Sequence, residues 1–147
     1  VETRWCFKAT TGCHHEYPAS AVQAPTGTPV LAVRGGTVIS SKDTASTAQD
    51  CDHNVGDTMR IKGDDNIYYY DAHMLTGSRT KKTGDRVETG EQIGVVGTAE
   101  NGQCTNPHLH IDASSEMNDF ARPGPKTGLL IDEQARLVSL FADLPVR

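Results

Sequence analysis

Residues Pro107–Ser114 read PHLHIDAS, an alternation of polar and apolar side chains. Successive side chains of an extended strand point to opposite faces of its sheet, so Leu109 and Ile111 are expected in the core. His108 and His110 then share the other face. The stretch predicts a strand of an antiparallel sheet with one apolar side. Upstream, TGDRVETGEQIGVVG (83–97) places Val87, Ile93 and Val95 between regularly spaced glycines, as at tight sheet corners. TMRIKGDDNIYYYDAHML (58–75) reads as two strands around a GDD turn. The second is rich in tyrosine, and a strand carrying Tyr68, Tyr69 and Tyr70 must bury at least one of them. GTPVLAVRGGTVISS (27–41) gives two apolar runs broken by RGG, which predicts a hairpin. KDTASTAQDCDHNVGD (42–57) is polar and reads as a long loop.

Helical spacing occurs only in the tail, LLIDEQARLVSLFADL (129–144), at Leu130, Leu137, Val138 and Phe141, with Asp132 and Glu133 in the first turn. RPGPKTG (122–128) is a connector. The expected architecture is mainly β, an antiparallel sheet with one C-terminal helix, in a domain over 1–115 and an extension over 116–147.

Composition agrees. In 147 residues, 36% are hydrophobic and 5% aromatic, with 14 glycines and 7 prolines, which favours many tight turns over a helical bundle. No apolar run approaches the roughly 18–20 residues of a membrane span. VETRWCFKAT at the start has no signal-peptide pattern, as expected of a cytosolic protein or of a mature or trimmed chain. The net charge of −5 argues against nucleic acid or an anionic membrane surface as partner. SRTKKTGDR (78–86) reads as a solvated loop.

None of the four cysteines lies in a CxxC pair, which favours two disulfides over a zinc knot or free thiols. Three pairings exist; sequence proximity favours Cys6–Cys13 with Cys51–Cys104. Disulfides place the chain in an extracytoplasmic compartment.

The histidines carry the chemistry. A His-x-His strand delivers two imidazoles to one site, and zinc takes neutral imidazole nitrogens at about 2.0–2.1 Å. A zinc-bound water has its pKa lowered to about 7. His73 in YDAHML and the pair His14/His15 in HHEYPASAV add two more clusters, while His53 lies idle in the long loop.

GTPVLAVRGGTVIS, YYYDAHML, GDRVETGEQIGVVG and NPHLHID, in that order, resemble the segments of the lysostaphin/LytM-type peptidoglycan zinc metalloendopeptidases. The likeness runs from about Cys13 to Ser115. The glycine-spaced stretch alone fits a lipoyl-like barrel, but PHLH after it makes the set specific. The resemblance implies a β barrel-sandwich with a lipoyl-like core and a secreted enzyme cutting peptide cross-links of the bacterial cell wall. It implies His110 as a zinc ligand, His108 and His73 as the catalytic pair, and His15, with His14 as alternative, as the first ligand. Asp112 would orient a neighbouring ligand. The family's aspartate ligand precedes a proline and a GTPV-like segment. With Pro25 and Gly27–Val30 setting the register, its place falls on Ala21, which cannot bind a metal. Zinc is therefore expected to be weakly held or absent and the chain inactive as it stands. The alternative the resemblance leaves open is a natural pseudo-enzyme that binds peptidoglycan peptide or activates another cell-wall protein.

Overall fold

A computed structural model describes residues 2–6, 19–43, 51 and 53–114. His14, His15, Cys13 and the helix expected in the tail lie outside the described residues.

Among the described residues there are strands only: β1 (Glu2–Cys6), β2 (Ala19–Gln23), β3 (Pro29–Leu31), β4 (Gly36–Asp43), β5 (Asp57–Gly63), β6 (Tyr68–Met74), β7 (Arg86–Val87), β8 (Gln92–Val95) and β9 (His108–Ser114). Seven form one sheet in the order β1-β2-β9-β6-β5-β4-β7, and β3 pairs with β8 in a second. All named pairings are antiparallel. The His-x-His strand β9 lies between β2 and β6, which places it well inside the large sheet.

The hairpin read at GDD is present. Asn66 takes a positive φ of 63° at the turn, and the Ile67 amide donates to Asp65 Oδ1 at 3.0 Å. The Tyr69 hydroxyl donates to Asp65 Oδ2 at 2.7 Å, so the one tyrosine of the triplet that is buried also ties down the turn.

The hairpin expected at RGG is not formed. Gly36 already pairs with Gly63 of β5 on one side and Val87 of β7 on the other, so β4 has no edge left for β3. A Cβ at Gly36 would run into the Lys62 carbonyl oxygen, which is why this crowded crossing takes glycine. RGG instead carries the chain from the small sheet to the large one. The Ala32 amide donates to Glu91 O at 2.9 Å and the Gly90 amide to Ala32 O at 2.8 Å, continuing the β3–β8 pairing.

The core is shared by the two sheets. Val30 and Ile93 of the small sheet join Val38, Met59, Ile61, Met74, Leu109 and Ile111 of the large one. Gly94 permits close contact, since a Cβ there would stand 2.7 Å from Met74 Sδ. Val87 and Ile93 are fully buried as their pattern implied, but of the neighbouring pair Val95 and Val96 it is Val96 that enters the core.

Candidate functional site

Strand register assembles the site. Across β9, His110 pairs with Ala21 of β2 on one side and with Ala72 of β6 on the other. Directly opposed residues of a sheet share a face, with Cβ atoms about 4.5–5.5 Å apart. The position facing His110 from β2 is therefore an alanine. His108 lies on this face, opposite Gln23, while Leu109 and Ile111 are in the core as their alternation requires.

His73 reaches the same face by a break in that alternation. Asp71, two residues earlier, pairs with core residues Met59 and Ile111, and regular pleating would put His73 beside it. Instead His73 has φ 68°. A left-handed residue with a Cβ costs on the order of 1–3 kcal/mol and persists only where its surroundings fix it. Here the His73 amide donates to Val55 O at 2.8 Å, and its carbonyl accepts from the Gly97 amide at 2.9 Å. The ring is thereby brought to 4.7 Å from His108 and 5.9 Å from His110, centroid to centroid, both edge-on.

Each ring has an identified oxygen partner. His73 Nδ1 lies 2.8 Å from Asn101 O, and His108 Nδ1 lies 2.7 Å from Asn106 O. A carbonyl can only accept, so each Nδ1 carries the proton and each neutral ring has its lone pair on Nε2. His110 is held the other way round: Nε2 donates to Asp112 Oδ2 at 3.2 Å, which puts its lone pair on Nδ1. A carboxylate holding one nitrogen of a histidine is the usual support for a metal ligand. Burial, with help from His108, pushes the His110 imidazole down to about 3. It is neutral at physiological pH despite its carboxylate partner, because the loss of solvation outweighs the attraction.

Tyr70 completes this face. Its ring stands edge-on to His110 at 5.9 Å, with the Arg60 guanidinium 5.0 Å from the ring centroid. Burial and the nearby Asp112 carboxylate push its phenol up to about 12, so it keeps its proton.

The structure thus gathers His73, His108, His110 and Asp112, and places Ala21 opposite His110. Cys51 and Cys104 form a disulfide, with Cα atoms 5.3 Å apart. Two features were missed from sequence. Asn101 supports His73, and its only signal was the turn-forming dipeptide Asn101-Gly102. Asp71 is a carboxyl on the core side of β6, where the apparent Tyr-rich strand gave no warning.

The described residues do not by themselves make up a zinc centre. Among the described residues no group of three histidine, cysteine, aspartate or glutamate side chains is placed to hold a metal ion. His110 offers one oriented nitrogen, and the residue opposite it has no donor atom.

This antiparallel double-sheet fold with histidines gathered on one face is matched by a family of metallopeptidases. The chain belongs to Peptidase family M23, whose family model matches residues 17–121. Solved structures agree. The catalytic domain of a single-substitution mutant of the prophage-encoded M23 protein EnpA from Enterococcus faecalis is 26% identical with a TM-score of 0.54, over 84% of this chain and 81% of that one. The catalytic domain of the antimicrobial peptidase lysostaphin from Staphylococcus simulans, at 22% identity and TM-score 0.52, shares the fold over 73% of this chain and 71% of its own. A zinc-containing peptidase from Vibrio cholerae is 25% identical with a TM-score of 0.50, over 67% of this chain and 26% of that one. No curated protein matches the chain.

Proposed function

We propose that this chain is a cell-wall endopeptidase of the M23 family, built to cut peptide cross-links of peptidoglycan and disarmed at position 21. The observation that carries the proposal is the pairing of Ala21 with His110 across β2 and β9. Among the described residues, three histidines stand together around that position. His73 and His108 have their Nδ1 protons held by carbonyls, and His110 is oriented by Asp112, as an acid–base pair and a metal ligand require.

In this reading His73 and His108 are the acid–base pair. A neutral imidazole with its lone pair on Nε2 takes the proton of the attacking water, and the resulting imidazolium gives one to the leaving amine. The other imidazole, whose Nε2 is likewise an acceptor while neutral, holds the water in line, and can hold the scissile carbonyl oxygen only when it carries a second proton. His110 and His15, with His14 as alternative, are the metal-binding histidines, Asp112 orients His110, and the missing ligand is the side chain at position 21. The Cys51–Cys104 disulfide and the cell-wall substrate favour an extracytoplasmic site of action. No helix among the described residues is long and apolar enough to cross a membrane.

The test compares zinc content and muropeptide cleavage of this chain and its Ala21→Asp variant. Zinc near one equivalent and cleavage in the variant, with neither in the parent, is the expected result. A second-sphere partner alone is worth about 10–100-fold, so restoring a direct ligand should exceed that. If Ala21→Asp recovers neither metal nor cleavage, the disarmed-enzyme reading falls, and muropeptide binding by the parent chain becomes the function to pursue.

A further inference from the structure

We propose that Asn101 is the positioning residue for His73, setting its tautomer through a clamp that joins three loops. This deepens the reading of His73 as part of the acid–base pair and rests on it for its catalytic consequence, though not for its structural test.

Asn101 is 5% exposed and uses every polar group it has. Its carbonyl accepts from His73 Nδ1 at 2.8 Å. Its Oδ1 accepts from the Thr98 amide at 3.2 Å, while Nδ2 donates to Asn54 Oδ1 at 3.4 Å and Thr76 Oγ1 at 3.1 Å. Its amide in turn lies 3.5 Å from Thr98 Oγ1. The segments before β5, after β6 and before β9 therefore meet at one amide side chain. Two glycines make room for it: a Cβ on Gly97 would stand 2.7 Å from both Asn101 Cβ and Oδ1, and one on Gly56 3.0 Å from Asn101 Cβ. Asn54 Oδ1 also accepts from the Gly56 amide at 3.1 Å, one residue from the carbonyl of Val55 that holds the His73 backbone.

The chemical consequence is specific. Histidine is useful as a base at Nε2 only if the proton of its neutral form sits on Nδ1, and an acceptor at Nδ1 enforces that choice. The Asn101 carbonyl is that acceptor, and its position depends on the side chain of the same residue. His108 takes its acceptor from Asn106 O, with Thr105 Oγ1 3.3 Å from the same nitrogen, rather than from Asn101. The two rings, 4.7 Å apart, thus have separate supports and serve as each other's control.

The experiment is imidazole 15N NMR on the protein as it stands and on Asn101→Ala, with tautomers read from the ring nitrogen shifts. In the parent, His73 and His108 should both be in the Nδ1–H form. In Asn101→Ala, His73 should pass to a mixture with the Nε2–H form while His108 keeps its tautomer. Thr76→Val, which removes one acceptor of Asn101 Nδ2 without touching the His73 backbone, should give a smaller change confined to His73, and decides the matter if Asn101→Ala does not fold. Retention of the His73 tautomer in both variants, an Nε2–H form in the parent, or an equal change at His108 would each overturn the proposal. In the Ala21→Asp background the clamp mutation should lower kcat about 10–100-fold with KM little changed. Failure of Ala21→Asp to cleave would count against the function proposed above and leave the tautomer result to decide this one.

Discussion

Asp71 stands on β6 opposite Met59 and Ile111, both fully buried, and its carboxyl shares that apolar surface. Burial, reinforced by the Asp112 carboxylate, pushes it from its ordinary 3.8 up to about 8. The folded protein therefore keeps a proton that the unfolded chain gives up above about pH 4. Stability falls as pH rises between those two values, being complete below the lower and lost on passing the upper. His110 works in the opposite sense: its folded value near 3 lies below the ordinary 6.5, so stability rises with pH across that window. Asn is the isostere of a protonated Asp. Asp71→Asn is expected to match the parent only below about pH 4 and to exceed it by a margin that grows up to about pH 8 in urea midpoint, with chelator present so that no metal contributes. Parallel pH curves for the two proteins would show that Asp71 is not held protonated. The contrast between Asp71 and His110 also marks what is legible at this scale. His108 and His110 follow from strict alternation in β9, a property of eight consecutive letters. The orientation of His73 does not, because its left-handed backbone is imposed by Val55 O and the Gly97 amide, partners far away in sequence. The histidine stands out in YDAHML and the resemblance implies its role, but the route by which it joins the others is not legible there.

Among elements, the strands around β9 and the GDD turn were readable because local chemistry decides them. An acidic turn with Asn66 at positive φ closes a two-strand ladder whoever its neighbours are. RGG was misread because a pair of glycines between apolar runs signals either a reversal or a crossing. Only the occupancy of both edges of β4 distinguishes them. The Cys51–Cys104 pairing, favoured from the sequence, is present; Cys13, expected to pair with Cys6, lies outside the described residues. This disulfide closes 53 residues of sequence and ends on a strained loop, with Gln103 and Cys104 at φ 56° and 59°. Two successive left-handed residues with side chains need a restraint, and the bond to Cys51 supplies one. Replacing both cysteines by serine should cost about 2–4 kcal/mol, with a lower thermal midpoint and faster amide exchange at Gly102 and Thr105, which close this loop. An unchanged exchange pattern would mean the loop is held by its own hydrogen bonds.

In the whole molecule, stability and site order have different owners. The two sheets meet through one apolar cluster, and Ile93, fully buried on β8, is the small sheet's largest contribution to it. The histidines stand on β6 and β9 of the large sheet and their supporting carbonyls on the loop between β8 and β9, so cavities in the shared core are expected to weaken the fold without moving the ring acceptors. Ile93→Ala is expected to cost about 2–5 kcal/mol, the usual loss for truncating a buried aliphatic side chain. At about 2–4 °C per kcal/mol for a chain of this size, the thermal midpoint should fall on the order of 5–15 °C. Below that midpoint the tautomers of His73 and His108 should remain those of the parent. Asn101→Ala should do the reverse, changing His73 well beyond what its effect on the midpoint would suggest. The pair of variants separates two ways of losing activity, one through the fraction folded and one through proton placement in molecules that are folded. If Ile93→Ala disturbs the histidine tautomers while the protein is still folded, the core and the site form one cooperative unit, and the clamp at Asn101 is only the part of it nearest the ring.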